Sequence, residues 1–161
     1  MDTLNGLILD IAELKKRVSV LETQACPRWV WTSSPGWIGG KNGDPLTSVS
    51  WDGDAYSTTA KTLIDLSVVF GTPANIKAVS ARIACRDSAS VATNNLCVLI
   101  SPNATDGASP VIARPSGLVN DYFAEAEGIC PCDANGDIYY QIAASGASTM
   151  DIYMQIWGYL I

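Results

Sequence analysis

"IKAVSARIACR", residues 76–86, decides the fold. Val79, Ala81, Ile83 and Cys85 take every second place, and Ser80, Arg82, Ala84 and Arg86 fill the places between. A period of two is strand spacing, with one face turned to a core. "DIYYQIAA" (137–144) repeats the pattern through Ile138, Tyr140, Ile142 and Ala144. Working outward, short apolar runs punctuated by Gly, Ser, Thr, Asn and Pro continue from Pro27 to the end, with no helix-period segment of useful length. The predicted strands are 28–33, 47–51, 61–70, 76–86, 95–102, 110–114, 137–144 and 150–161. "ANGD" (134–137) and "SPNATDG" (101–107) read as turns. About eight strands in roughly 130 residues predict an all-β head over 27–161, an antiparallel β-sandwich of jelly-roll type. The last strand is apolar on both sides, with Met150, Ile152, Met154 and Ile156 on one and Tyr153, Trp157 and Tyr159 on the other. That pattern predicts a central strand, or a second face that meets a neighbouring subunit.

Residues 1–26 have another texture. Leu4, Leu7, Ile11, Leu14, Val18, Leu21 and Ala25 are spaced 3, 4, 3, 4, 3, 4, an unbroken heptad register with Leu4, Ile11, Val18 and Ala25 at a. Asp2 or Thr3 can cap the helix, and Pro27 ends it near Cys26. A rod of roughly 35 Å is too short to be stable alone in water, so the seam predicts partner chains. The g–e pairs Asp10 with Lys15 and Arg17 with Glu22 are both opposite in sign, as an in-register parallel homo-oligomer requires. Leucine at d with Ile and Val at a favours two strands. Ile8, Leu9 and Val20 spread apolar surface beyond the seam, which favours more. "RVSVLE" (17–22) resembles the Arg-h-x-x-h-Glu signature of short parallel trimeric coiled coils. The resemblance implies that Arg17 covers Leu21 of the next chain and pairs with its Glu22, so a homotrimer is expected. The competing reading is an amphipathic helix packed on its own domain.

Composition narrows the function. The hydrophobic fraction is 48% and the charged fraction 16%, a surface poor in charge of the kind that is partly covered by other chains. Ten basic against sixteen acidic residues leave a net charge of −6 with no basic stripe, which argues against nucleic acid or an anionic membrane as partner. No signal peptide and no spanning apolar run is visible, so folding in a cytosol is expected. Five cysteines without a leader predict buried free thiols rather than a disulfide framework.

Little here suggests catalysis. The chain has no histidine, which removes the usual general base, zinc ligand and Ser-His or Cys-His pair. "CPC" (130–132) lacks a second cysteine pair to complete a zinc site. "DANGD" (133–137) starts like a calcium loop but has Ala144 where the bidentate acid belongs, and "WDGD" (51–54) reads as a turn. Glu125 and Glu127 read as solvated loop carboxylates rather than a glycosidase pair. No enzyme, metal or cofactor is expected.

The aromatics remain. Trp29, Trp31, Trp37, Trp51 and Tyr56 crowd the first third of the chain. Exposed aromatics beside Asn and Asp are how β-sandwiches hold sugar rings. Trp29 and Trp31 alternate as strand residues and are assigned to a core or a subunit interface. Trp37, in "PGWIGG", is expected in a loop, and Trp37, Trp51 and Tyr56 are the candidate ligand-binding residues.

The plan of a short parallel coil followed by a β-sandwich resembles small bacteriophage virion proteins: tail-fibre tips, baseplate receptor-binding proteins and head fibres. "LTSVSWDGDAYSTTAKTLIDLS" (46–67), "RDS" (86–88) and "QIWGYLI" (155–161) share the look of phage structural proteins. The resemblance implies a non-enzymatic homotrimer in the virion, with heads directed at host glycans or proteins. Alternatives are a capsid or tail decoration protein that binds only other virion proteins, and a lectin-like carbohydrate-binding module.

Overall fold

A computed structural model of the chain describes residues 11–18, 27–38, 60–105, 109–119, 122–147 and 149–161, except for the side chains of 33–38. Residues 11–18 form a helix, α1. The body holds β1 (Trp29–Ile38), β2 (Thr62–Ile64), a five-residue helix α2 (Leu66–Phe70), β3 (Ala78–Asp87), β4 (Cys97–Ser101), β5 (Val111–Ala113), β6 (Ala124–Pro131), β7 (Ile138–Ala143) and β8 (Met150–Leu160). The strands make two four-stranded antiparallel sheets, β1-β8-β3-β6 and β2-β7-β4-β5. The all-β expectation holds. The predicted strand at 47–51 lies outside the described residues.

The alternation seen in the sequence sets the core. Val79, Ile83 and Cys85 of β3 meet Ile152, Met154 and Ile156 of β8 on the inner face of the first sheet. Val98 and Ile100 of β4 with Ile138 and Ile142 of β7 cover them from the second sheet. All nine of these aliphatic side chains and the Cys85 thiol are essentially inaccessible. Each large one contributes about 1.5–3 kcal/mol by leaving water.

Three departures from the sequence reading have local causes. The predicted strand 61–70 is β2 followed by α2, because Asp65 stands in its middle. The Asp65 carboxylate accepts from the Val68 amide at 3.0 Å and from the Ser67 hydroxyl, an N-cap. Gly71 closes the helix at φ 69°, donating to the Ser67 carbonyl at 3.1 Å. Secondly, β6 was not foreseen, and Glu125 and Glu127 sit on it rather than in a loop. Thirdly, the pairing of β8 with β3 shifts between Ser80 and Ala81, which leaves Trp157 as an extra residue. Tyr159 consequently packs against the core instead of sharing a face with Tyr153 and Trp157. β8 is central in its sheet, the first of the two places its apolar sides suggested.

Both ends of the first sheet are secured by polar contacts. Arg28 and Ile161 exchange backbone hydrogen bonds at 3.1 Å where the chain joins the head. At the opposite end the buried Asp87 carboxylate accepts from the amides of Ala89 and Ser145 and from the hydroxyls of Ser145 and Thr149. It thereby clasps the turns after β3 and before β8. "DANGD" is a turn, as expected, but not a hairpin, since it carries the chain from β6 of the first sheet to β7 of the second: Asp133 accepts from the amides of Asn135 (2.8 Å) and Asp137 (3.0 Å). Gly136 has φ 92° and lies so close to the Asn75 and Ile76 amides that a Cβ would meet them at 2.8 Å.

Candidate functional site

The outer face of the first sheet carries the candidate site. Register arranges its side chains in rows across β1, β8, β3 and β6. Trp29, Leu160, Ala78 and Pro131 form the row at the end where Arg28 joins. Trp31, Gly158, Ser80 and Ile129 form the next. Gln155, Arg82 and Glu127 follow, then Tyr153, Ala84 and Glu125, and lastly Asp151 and Arg86.

The first two rows are apolar and open. Trp29 and Trp31 stack with ring centroids 5.5 Å apart and planes at 20°. Trp31 is 64% exposed, Ile129 56% and the bulged Trp157 40%. Gly158 is what lets Trp31 lie on the sheet: a Cβ there would stand 2.9 Å from Trp31 Cε3 and from the Val30 carbonyl oxygen. The Thr32 hydroxyl donates to the Trp157 carbonyl at 2.9 Å and fixes the bulge. Between the two indoles, Ser80, Ala81 and Glu127 complete a pocket of about 270 Å³.

The remaining rows are charged and internally matched. Arg82 donates to Glu125 and, at 3.3 Å, to Gln155. Its Nε stands 3.4 Å from Glu127, an ion-pair contact without hydrogen-bond alignment. The bond from Glu125 holds the Arg82 guanidinium in its charged form and raises its pKa above the ordinary value. Arg86 pairs with Asp151 at 2.7 Å and lies 5.0 Å from the centre of the Phe123 ring, which packs on Tyr153 at 5.1 Å. Burial, followed by the Glu125 charge, pushes the Tyr153 hydroxyl up.

The sequence candidates fare unevenly. Trp37 is a strand residue whose backbone pairs with Gln155, not a loop residue; the loop expectation fails because β1 runs on to Ile38 after four residues, 32–35, bulge out. Trp51 and Tyr56 lie outside the described residues. Trp31 is not core, since its row faces away from the second sheet. Ile129 was missed because its strand was missed, whereas Trp157 was visible as part of the second apolar side of β8.

The heptad candidates divide similarly. Ile11, Leu14 and Val18 are helical and 45%, 57% and 48% exposed, and Arg17 is exposed beside them. Leu4, Leu7, Leu21 and Glu22 lie outside the described residues.

The thiols of Cys85, Cys97, Cys130 and Cys132 are all free. Burial pushes Cys85, Cys130 and Cys132 up to about 12, so they stay protonated at neutral pH. Among the described residues no three His, Cys, Asp or Glu side chains gather as a metal site, and no helix is long and apolar enough to cross a membrane. Comparison with known proteins yields no matching family model and no curated relative.

Proposed function

We propose that the chain is a non-enzymatic structural and adhesion protein of a bacteriophage particle. In this reading it is a homotrimer in which residues 1–26 form a parallel coiled coil and the β-sandwich, whose strand order is that of a jelly roll, is the head. The observation that carries the proposal is the exposure of Ile11, Leu14 and Val18. A helix packed on its own domain would hide those residues, so their seam is left for other copies of the chain. The matched g–e charges and the Arg17–Glu22 spacing support a parallel, three-chain arrangement. The head then serves to bind, with host surface glycans or proteins as targets and other virion proteins at the stem.

Light scattering on the full chain and on Arg17→Ala tests the assembly. A mass near three times 17.1 kDa, with the variant dissociating at higher concentration than the parent, is expected. A mass of 17.1 kDa at micromolar concentration overturns the trimer. Glycan-array binding by the trimer separates adhesion from decoration: capture by virion proteins alone, without glycan binding, replaces the adhesion reading with the decoration one.

A further inference from the structure

We infer that the two apolar rows of the first sheet are the contact between heads in the trimer, each covered by a second copy of this chain. The inference rests on the trimer reading and adds a second, separate interface to it.

Position is the first argument. Arg28 is tied to Ile161 at the end of the sheet that carries the Trp29 and Trp31 rows. Only nine residues lie between Val18 and Arg28, a reach of at most about 35 Å. Heads hung from one stem on so short a tether converge most where they are attached. That end is where the face is apolar.

Chemistry is the second. Indoles and an isoleucine, with Glu127 the one charged residue at the pocket wall, have the composition of a protein interface core, where Trp is an enriched anchor. The ionic rows beyond are already paired among themselves, through Arg82 with Glu125 and Arg86 with Asp151. They need no partner and suit a solvated rim. A sugar site at a fibre tip would instead lie at the free end, where Asp151 and Arg86 stand.

Shape is the third. A three-fold contact joins two different patches of neighbouring copies. The pocket of about 270 Å³ between Trp31 and Trp157 is concave, and Ile129 is an exposed aliphatic side chain on the edge strand β6. Seating Ile129 of one copy against the Trp31–Trp157 pocket of the next closes the ring and covers the β6 edge, which is otherwise a site for stray strand pairing.

Hydroxyl-radical footprinting of the full chain, read at Trp31 and Trp157 by mass spectrometry, tests this beside light scattering. Within one copy Ile129 and Trp31 are three strand spacings apart, about 14 Å. In a parent of three times 17.1 kDa, both tryptophans are expected to be labelled several-fold less than in Ile129→Glu, with Ile129→Val like the parent. Ser80 and Glu127, beside Ile129, line the pocket, so the comparison is repeated in the Leu14→Arg background at monomeric mass. A labelling difference that persists there acts within one copy and overturns the head contact. Equal labelling of parent and Ile129→Glu, at trimeric mass, overturns the head contact and leaves the coil standing. Labelling that falls only when oligosaccharide from bacterial lipopolysaccharide is added overturns it in favour of a sugar pocket. A mass of 17.1 kDa overturns coil and head contact together.

Discussion

Helix α1 and strand β3 are written in the same alphabet and end in opposite conditions. Both present aliphatic residues at the period of their own secondary structure. In β3, Val79 and Ile83 are fully buried by the second sheet of the same chain. In α1, Ile11, Leu14 and Val18 stay about half exposed. The head thus satisfies its hydrophobic pattern within one chain, and the helix does not. Amphipathic periodicity fixes which face must be covered but is silent on whose residues cover it. Here the cover for one region is local, and for the other we propose that it comes from further copies of the chain.

The contrast can be broken most sharply at Leu14. Leu14→Arg places charge in the seam, and the mass is expected to fall from trimer to monomer while the far-UV spectrum of the head survives. A head that unfolds with it would mean the two regions are not independent. Ile83→Ala does the reverse: by opening a cavity in the core it should lower stability by about 3–4 kcal/mol, read as a fall in the urea midpoint with the coil intact. Asp87→Ala sharpens the picture of how the head closes on itself. Removing a buried charged acceptor of four hydrogen bonds is expected to cost about 2–3 kcal/mol and to raise amide exchange at Ala89 and Ser145 first.

A further effect appears only in alkali. The thiols of Cys85, Cys130 and Cys132 ionise at about 12 in the fold and near 9 when unfolded. Below 9 both states are protonated and nothing changes. Between 9 and 12 the unfolded chain binds fewer protons than the fold, so stability falls as pH rises. Urea midpoints at pH 8 and 10.5 should show the drop, and a smaller drop in a Cys130→Ala, Cys85→Ala double variant would assign that share to these two thiols.

How much of this was legible depended on what faced inward. β3, β7 and β8 announce themselves because Ile, Val and Met alternate with polar residues. β6 does not, because its inward residues Ala124, Ala126 and Gly128 are small and its outward ones are Glu125, Glu127 and Ile129. An edge strand over a thin part of the core carries almost no hydrophobic signal. "TLIDLSVVF" misled in the other direction: its β-branched residues favour a strand, and a single aspartate able to cap the amide three residues later overrides them. The site was half readable for the same reasons. Trp157 was visible on the doubly apolar β8, while its partners Ile129 and Glu127 depended on a strand that the sequence concealed.

The bulge at Trp157 makes the last seven residues a matter of parity. Counting inward and outward places along "QIWGYLI", the extra residue sends one aromatic, Trp157, to the surface and returns the next, Tyr159, to the interior. Deleting Trp157 would restore strict alternation and leave Tyr159 facing inward, whereas inserting one residue would turn Tyr159 outward. The end of the strand therefore tolerates loss of the bulged residue better than an insertion, which exchanges its faces.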